Sequence, residues 1–261
     1  MRRRALIVGN WKMNGLVETA LELTESLLTG VAKREKKKLL GEVVVCPPFT
    51  ALSAVNNILG GSSIKLGGQN MSAESSGAFT GEICGIMLRN VGCRYVILGH
   101  SERRRHFGET DLDVGRKVAA AFRDGLNPII CVGEDMAQRE AGSALDAVDA
   151  QIQALAPFLP EKTTKQNQMV IAYEPVWAIG SGQTPTPQQI SEMHVFIRDR
   201  LDKYMGADET RKVRILYGGS LKPENAAAIF SVDNVDGGLV GGSSLSPQDF
   251  LAIIDAYPTS D

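Results

Sequence analysis

The chain has 261 residues, a formal net charge of −2 and an isoelectric point near 6.0. This balance gives no general attraction to nucleic acid or anionic membrane, and no apolar run approaches the roughly 20 residues needed to span a bilayer. The length suits one α/β domain over residues 1–261, with a large core.

In chain order, the first strand candidate is ALIV (5–8), followed by the helix pattern VETALELTESLLTG, with Gly30 as its expected stop. EVVVC (42–46) leads to TALSAVNNILGG, where Thr50 is the expected N-cap and a glycine pair the end. IKLGG (64–68) and RYVILG (94–99) come next, then a helix pattern from Asp111 to Gly125. PIICV (128–132) and MVIAY (169–173) precede a long helix pattern with Pro187 in its first turn and Gly206 at its end. VRILY (213–217) is followed by a helix opening near Pro223, and GGLVG (237–241) by one opening near Pro247. These eight apolar strands suit a parallel sheet buried on both faces. Repeated strand–helix alternation with right-handed crossovers then predicts a single (β/α)8 barrel of eight parallel strands. The open doubly wound alternative lacks a G-x-G-x-x-G turn after the first strand.

Two basic clusters, MRRR at the start and KREKKK (33–38), border element ends without interleaved aromatics and read as solvated surface. Cys46, Cys84, Cys93 and Cys131 form no C-x-x-C pair, so neither a zinc site nor a dithiol motif is expected. Few cysteines and no signal peptide fit a soluble, cytoplasmic protein.

In such a barrel the active site lies at the C-terminal ends of the strands. Asn10 and Lys12 follow the first strand, sharing the parity of Leu6 and Val8. A lysine there either escapes to solvent or meets an anion. GHSERR follows the fourth strand with His100 and Glu102, and Glu174 with Pro175 follows the sixth. YGGS (217–220) and VGG (240–242) follow the last two, where glycine-rich turns bring backbone N–H groups close to an anion. That is where this architecture commonly binds phosphate.

The strings GNWKMNG, GAFTGEI, YVILGHSERR, PIICVGE, AYEPVWAIGSG, YGGS and GGLVGG, in order from residue 9 to 242, make the chain resemble the triosephosphate isomerase family. The resemblance implies interconversion of dihydroxyacetone phosphate and glyceraldehyde 3-phosphate through an enediolate, with no cofactor and no metal. It implies Glu174 as the base and His100 as a neutral electrophile, its protonation disfavoured by a helix N-terminus. Lys12 would hold phosphate and oxyanion, with Asn10 as a neutral donor beside it. Phosphate would also meet Gly180, Ser220, Gly241 and Gly242. Glu102 would orient Lys12 or join an ion pair, and Ser101 would begin the helix. His194, in a helix, and His106, in a basic loop, are expected to pack or face solvent.

The implied lid covers residues 175–184. Pro175, Val176 and Trp177 would form its first hinge, Ala178, Ile179 and Gly180 its tip, and Ser181, Gly182, Gln183 and Thr184 its second hinge. Ser181 and Gln183 stand where the family often carries Thr and Lys, and Gly238 and Ser243 also replace commoner residues. Gly238 is expected to soften the eighth strand slightly. The long polar loop 70–82 would dock into a second subunit, with Thr80 near the partner's Lys12 and the partner's Asn14, giving a homodimer. A Schiff-base aldolase would need a lysine in a barrel strand, and nothing around Lys65 supports that. A catalytically silent phosphate-binding barrel is the other alternative, which the presence of Lys12, His100 and Glu174 disfavours.

Overall fold

The computed structural model describes residues 3–35, 41–160, 162, 168–179 and 183–258. The strands are β1 (Leu6–Asn10), β2 (Glu42–Cys46), β3 (Lys65–Gly68), β4 (Tyr95–Leu98), β5 (Asn127–Val132), β6 (Val170–Tyr173), β7 (Arg214–Tyr217) and β8 (Gly237–Val240). Each pairs in parallel with the next, and β1 pairs with β8, so the sheet closes into a barrel. All eight expected strands are present, with ends shifted by a residue or so, and the (β/α)8 reading holds.

The helices among the described residues are α1 (Val17–Glu35), α2 (Leu52–Leu59), α3 (Gly85–Asn90), α4 (Ser101–Phe107), α5 (Asp111–Arg123), α6 (Met136–Glu140), α7 (Ala144–Leu155), α8 (Pro187–Met205), α9 (Ala207–Thr210), α10 (Pro223–Phe230) and α11 (Pro247–Asp255). Among these residues no helix is long and apolar enough to cross a membrane.

Three local expectations need correction. Gly30 does not stop α1, which runs on to Glu35. It is a contact point instead: a Cβ there would fall 2.3 Å from Leu251 Cδ1 on α11, so the missing side chain lets the two helices pack closely. Thr50 is not an N-cap, because Pro48 leads into a 3-10 turn at Phe49–Ala51 and α2 starts only after it. The basic clusters are not simply solvated: in the first, Arg3 Nε donates to buried Asp236 at 2.8 Å, and in the second, Arg34 pairs with Asp255.

Period-two alternation divides the core into two layers. Leu6, Val8, Val44, Ile97, Ile129, Cys131, Val170, Ala172, Leu216 and Leu239 fill the barrel interior. The alternate residues, such as Ile7, Val43, Val96, Ile130, Ile171 and Ile215, pack outward into the helices. The N-terminal end is plugged by a polar network. Arg214 donates to Glu42 at 2.8 Å and to the Tyr95 hydroxyl at 3.0 Å, and that hydroxyl donates to Glu42 at 2.8 Å. Polar groups at this end therefore satisfy one another, and the opposite end carries the cavity described next.

Candidate active site

The inward parity of Leu6 and Val8 continues into Asn10, which is buried at the mouth of the barrel. Lys12 follows with φ of 54°, a left-handed conformation rare outside glycine. It is held there by Lys12 N donating to Asn10 Oδ1 at 3.1 Å and by Gln69 Nε2 donating to Lys12 O at 2.9 Å. Strain at a non-glycine residue persists only where its surroundings fix it. Lys12 Nζ meets Glu102 Oε1 at 2.5 Å, so the lysine is turned toward the cavity and not released to solvent.

Tyr95 and Ile97 of β4 point inward, and simple alternation would turn residue 99 in next. Gly99 has φ of 67°, which breaks the alternation and aims His100 inward instead. His100 caps α4, with Nδ1 accepting from Glu102 N at 3.2 Å. The Nδ1 lone pair is thus in use, and the ring proton sits on Nε2. That nitrogen lies 2.9 Å from Glu174 Oε1, while Ser101 N donates to Glu174 Oε2 at 2.8 Å. Gly218 makes room for this carboxylate, since a Cβ there would come 3.0 Å from Glu174 Cγ.

The electrostatics differ from the neutral electrophile expected from the helix terminus alone. Burial opposes charge on His100, but the Glu174 carboxylate outweighs it and raises the ring's pKa above the ordinary value. Reciprocally, burial favours a neutral Glu174, but His100, the Ser101 amide and Lys12 hold its pKa below the usual value. In this arrangement the carboxylate is therefore a weakened base. Moving it off His100 removes their mutual attraction, so burial weighs more heavily, which lowers the ring's pKa and raises the carboxyl's. Below Glu174, burial and the nearby carboxylate push the Cys131 thiol up, so it stays an uncharged S–H.

Asn10, Lys12, His100, Ser101, Glu102 and Glu174 share a cavity of about 730 Å³ with Ser220, Gly241 and Gly242. Gly242 opens a 3-10 turn at Gly242–Leu245, and Gly241 directly precedes it. Val176 and Ile179 form another part of the wall. Arg105 and His106 also line it, and His106 lies on α4, not in a loop. His194 is buried on α8, its Nδ1 bonded to Asn234 O at 3.0 Å, and takes no part in the site.

The expected first hinge contains a 3-10 turn at Val176–Ala178. Its anchor escaped the sequence reading. Glu134, fully buried after β5, accepts from Trp177 Nε1 at 2.7 Å, from the Tyr173 hydroxyl at 3.1 Å and from Arg139 at 2.8 Å. The string PIICVGE held this residue, but only three-dimensional contact gives it a partner. Gly180, Ser181 and Gly182 of the expected lid lie outside the described residues. Thr80 and Asn14 are exposed, as is most of the 70–82 loop, including Phe79.

The profile of the triosephosphate isomerase family matches residues 5–257. The chain belongs to the triosephosphate isomerase family. A triosephosphate isomerase of Magnetococcus marinus is 54% identical over 253 residues, covering 97% of this chain and 98% of that protein. One from Moorella thermoacetica is 48% identical over 255 residues, with the same coverage. The crystal structure of triosephosphate isomerase from Bartonella henselae superposes with a TM-score of 0.86 at 42% identity, covering 97% of this chain and 98% of that one. The family is one of aldose–ketose isomerases.

Proposed function

We propose that this chain interconverts dihydroxyacetone phosphate and D-glyceraldehyde 3-phosphate by moving a proton between adjacent carbons through an enediolate. The observation that carries this reading is the apposition of His100 Nε2 and Glu174 Oε1 at 2.9 Å inside the cavity that Lys12 also lines. A base and an N–H donor side by side in one cavity are what a 1,2 proton transfer needs.

Substrate displaces Glu174 from His100. The carboxylate then takes a proton from the carbon beside the carbonyl, while the Nε2–H of His100 donates to the oxygens on which negative charge develops. Loss of its contacts with His100 and Ser101, together with exclusion of water by a closing lid, strengthens the base at that moment. Lys12 and Asn10 stabilise the oxyanion, and Lys12 with the N–H groups of Gly180, Ser220, Gly241 and Gly242 holds the phosphate. Residues 175–184 act as the lid, anchored through Trp177 and Glu134. Residues 1–261 work as one catalytic domain in the cytoplasm, as a homodimer in which the exposed 70–82 loop docks into the second subunit.

The test is a coupled assay with D-glyceraldehyde 3-phosphate on wild type and Glu174→Gln. Rapid turnover by wild type and a loss of three or more powers of ten in the variant are expected. A folded wild type that binds substrate without turning it over would instead leave a silent phosphate-binding barrel.

A further inference from the structure

Two turns carry the phosphate in the reading above, and the barrel itself does not hold them together. The register between β7 and β8 is Tyr217↔Gly238, and the turns begin beyond it. Each turn is braced internally. Asn225 Nδ2 donates to Ser220 O at 3.0 Å on one side, and Ser244 N donates to Gly241 O at 2.8 Å on the other. Among the described residues, one hydrogen bond joins 218–222 to 241–245: Ser243 Oγ donates to Leu221 O at 3.0 Å. Leu221 directly follows Ser220, and Ser243 directly follows Gly242. The tie therefore sits one residue from an expected phosphate donor on each turn.

The spacing is fixed from below as well. Leu221 is buried, and its side chain fills the space that a residue at 238 would occupy, since a Cβ on Gly238 would fall 2.5 Å from Leu221 Cδ2. Gly238, expected to soften β8, thus also has a packing role. Ser243 also borders the cavity, but its single hydroxyl proton is committed to the Leu221 carbonyl, so in this arrangement it does not donate to a ligand.

We propose that Ser243 is a positioning residue that sets the separation of the two phosphate-binding turns, with Leu221 packed over Gly238 as the spacer. This rests on the assignment of phosphate to Ser220, Gly241 and Gly242. A cradle held at the right width binds its anion without having to order itself first. The hydroxyl acts on the phosphate end alone, so its loss weakens ground state and transition state equally. That signature is a higher KM with an unchanged kcat.

The experiment compares wild type, Ser243→Ala and Ser243→Thr. Calorimetry with inorganic phosphate should show about fivefold weaker binding in Ser243→Ala, roughly the factor carried by one side-chain hydrogen bond to a carbonyl. KM for D-glyceraldehyde 3-phosphate should rise by a similar factor with kcat within twofold. Turnover of phosphate-free glyceraldehyde should not change. Ser243→Thr keeps the hydroxyl and should restore phosphate affinity. The proposal is overturned if Ser243→Ala binds phosphate as wild type does, if Ser243→Thr is as weak as the alanine variant, or if glyceraldehyde turnover falls in parallel. Failure of the isomerase reading has a different mark: wild type turns over no triose phosphate, while calorimetry still reports the tie.

Discussion

Replacing Glu174 by Asp asks whether a carboxylate is merely required near His100 or must reach a particular point. The backbone cannot advance to compensate, because Glu174 N is bonded to Val132 O at 2.8 Å and Tyr173 O accepts from Gly218 N at 2.7 Å. The shortened side chain therefore retracts the carboxylate by on the order of 1 Å, a displacement that costs roughly a hundredfold in rate, or about 2.7 kcal/mol of barrier. The contacts to His100 Nε2 at 2.9 Å and Ser101 N at 2.8 Å stretch past hydrogen-bond range by the same movement. Folding should hold, since the interior layer beneath is apolar and untouched. The assay is steady-state turnover in both directions, with circular dichroism as the folding control. Turnover of Glu174→Asp within about twofold of wild type would refute the base assignment.

Lys12→Met keeps length and removes the charge, so inorganic phosphate affinity by calorimetry should fall at least tenfold and turnover further, whereas unchanged affinity removes Lys12 as the anchor. Thr80→Arg puts a bulky charge on the loop expected to dock into a second subunit, where an unpaired buried charge costs several kcal/mol; sedimentation should show a lighter species with little activity, and a wild type that is itself monomeric at micromolar concentration defeats the docking reading. His194 is buried with its pKa lowered by burial to about 4, against about 6.5 when unfolded. Between those values only the unfolded chain takes up the proton, so the stabilisation is complete above pH 6.5 and is lost as pH falls toward 4. His194 alone then removes about 2 kcal/mol between pH 7.5 and pH 5, and urea unfolding of His194→Gln should lack that share of the slope; an identical slope in both proteins contradicts it.

The barrel was legible because parallel strands buried on both faces leave continuous apolar runs, and eight of them survive in the sequence. Glycine was the less dependable signal. Gly206 and Gly60 follow helix ends, whereas Gly30 lies within α1 for close packing against Leu251, and the letter alone does not separate these uses. The helix α7 went unnamed although Val148, Ile152 and Leu155 form its buried stripe. Its apolar positions are diluted by Ala and Gln. At the site, parity carried Asn10 inward from Leu6 and Val8. Parity did not explain His100, which turns in because of Gly99, nor the left-handed backbone of Lys12, nor the anchoring of Trp177 by Glu134 from another loop. Backbone conformation and contacts between distant loops leave no periodic trace in a sequence.

The central claim is that a proton, removed and returned by Glu174, moves between adjacent carbons. Isomerisation of dihydroxyacetone phosphate in deuterium oxide tests it directly, by trapping the glyceraldehyde 3-phosphate as it forms and examining C2 by proton NMR. A carboxylate that holds the proton within reach of solvent exchanges some of it, so product should carry deuterium at C2 from the first turnovers. Product formed at the full rate with protium alone at C2 is what direct hydride transfer gives and would contradict the account.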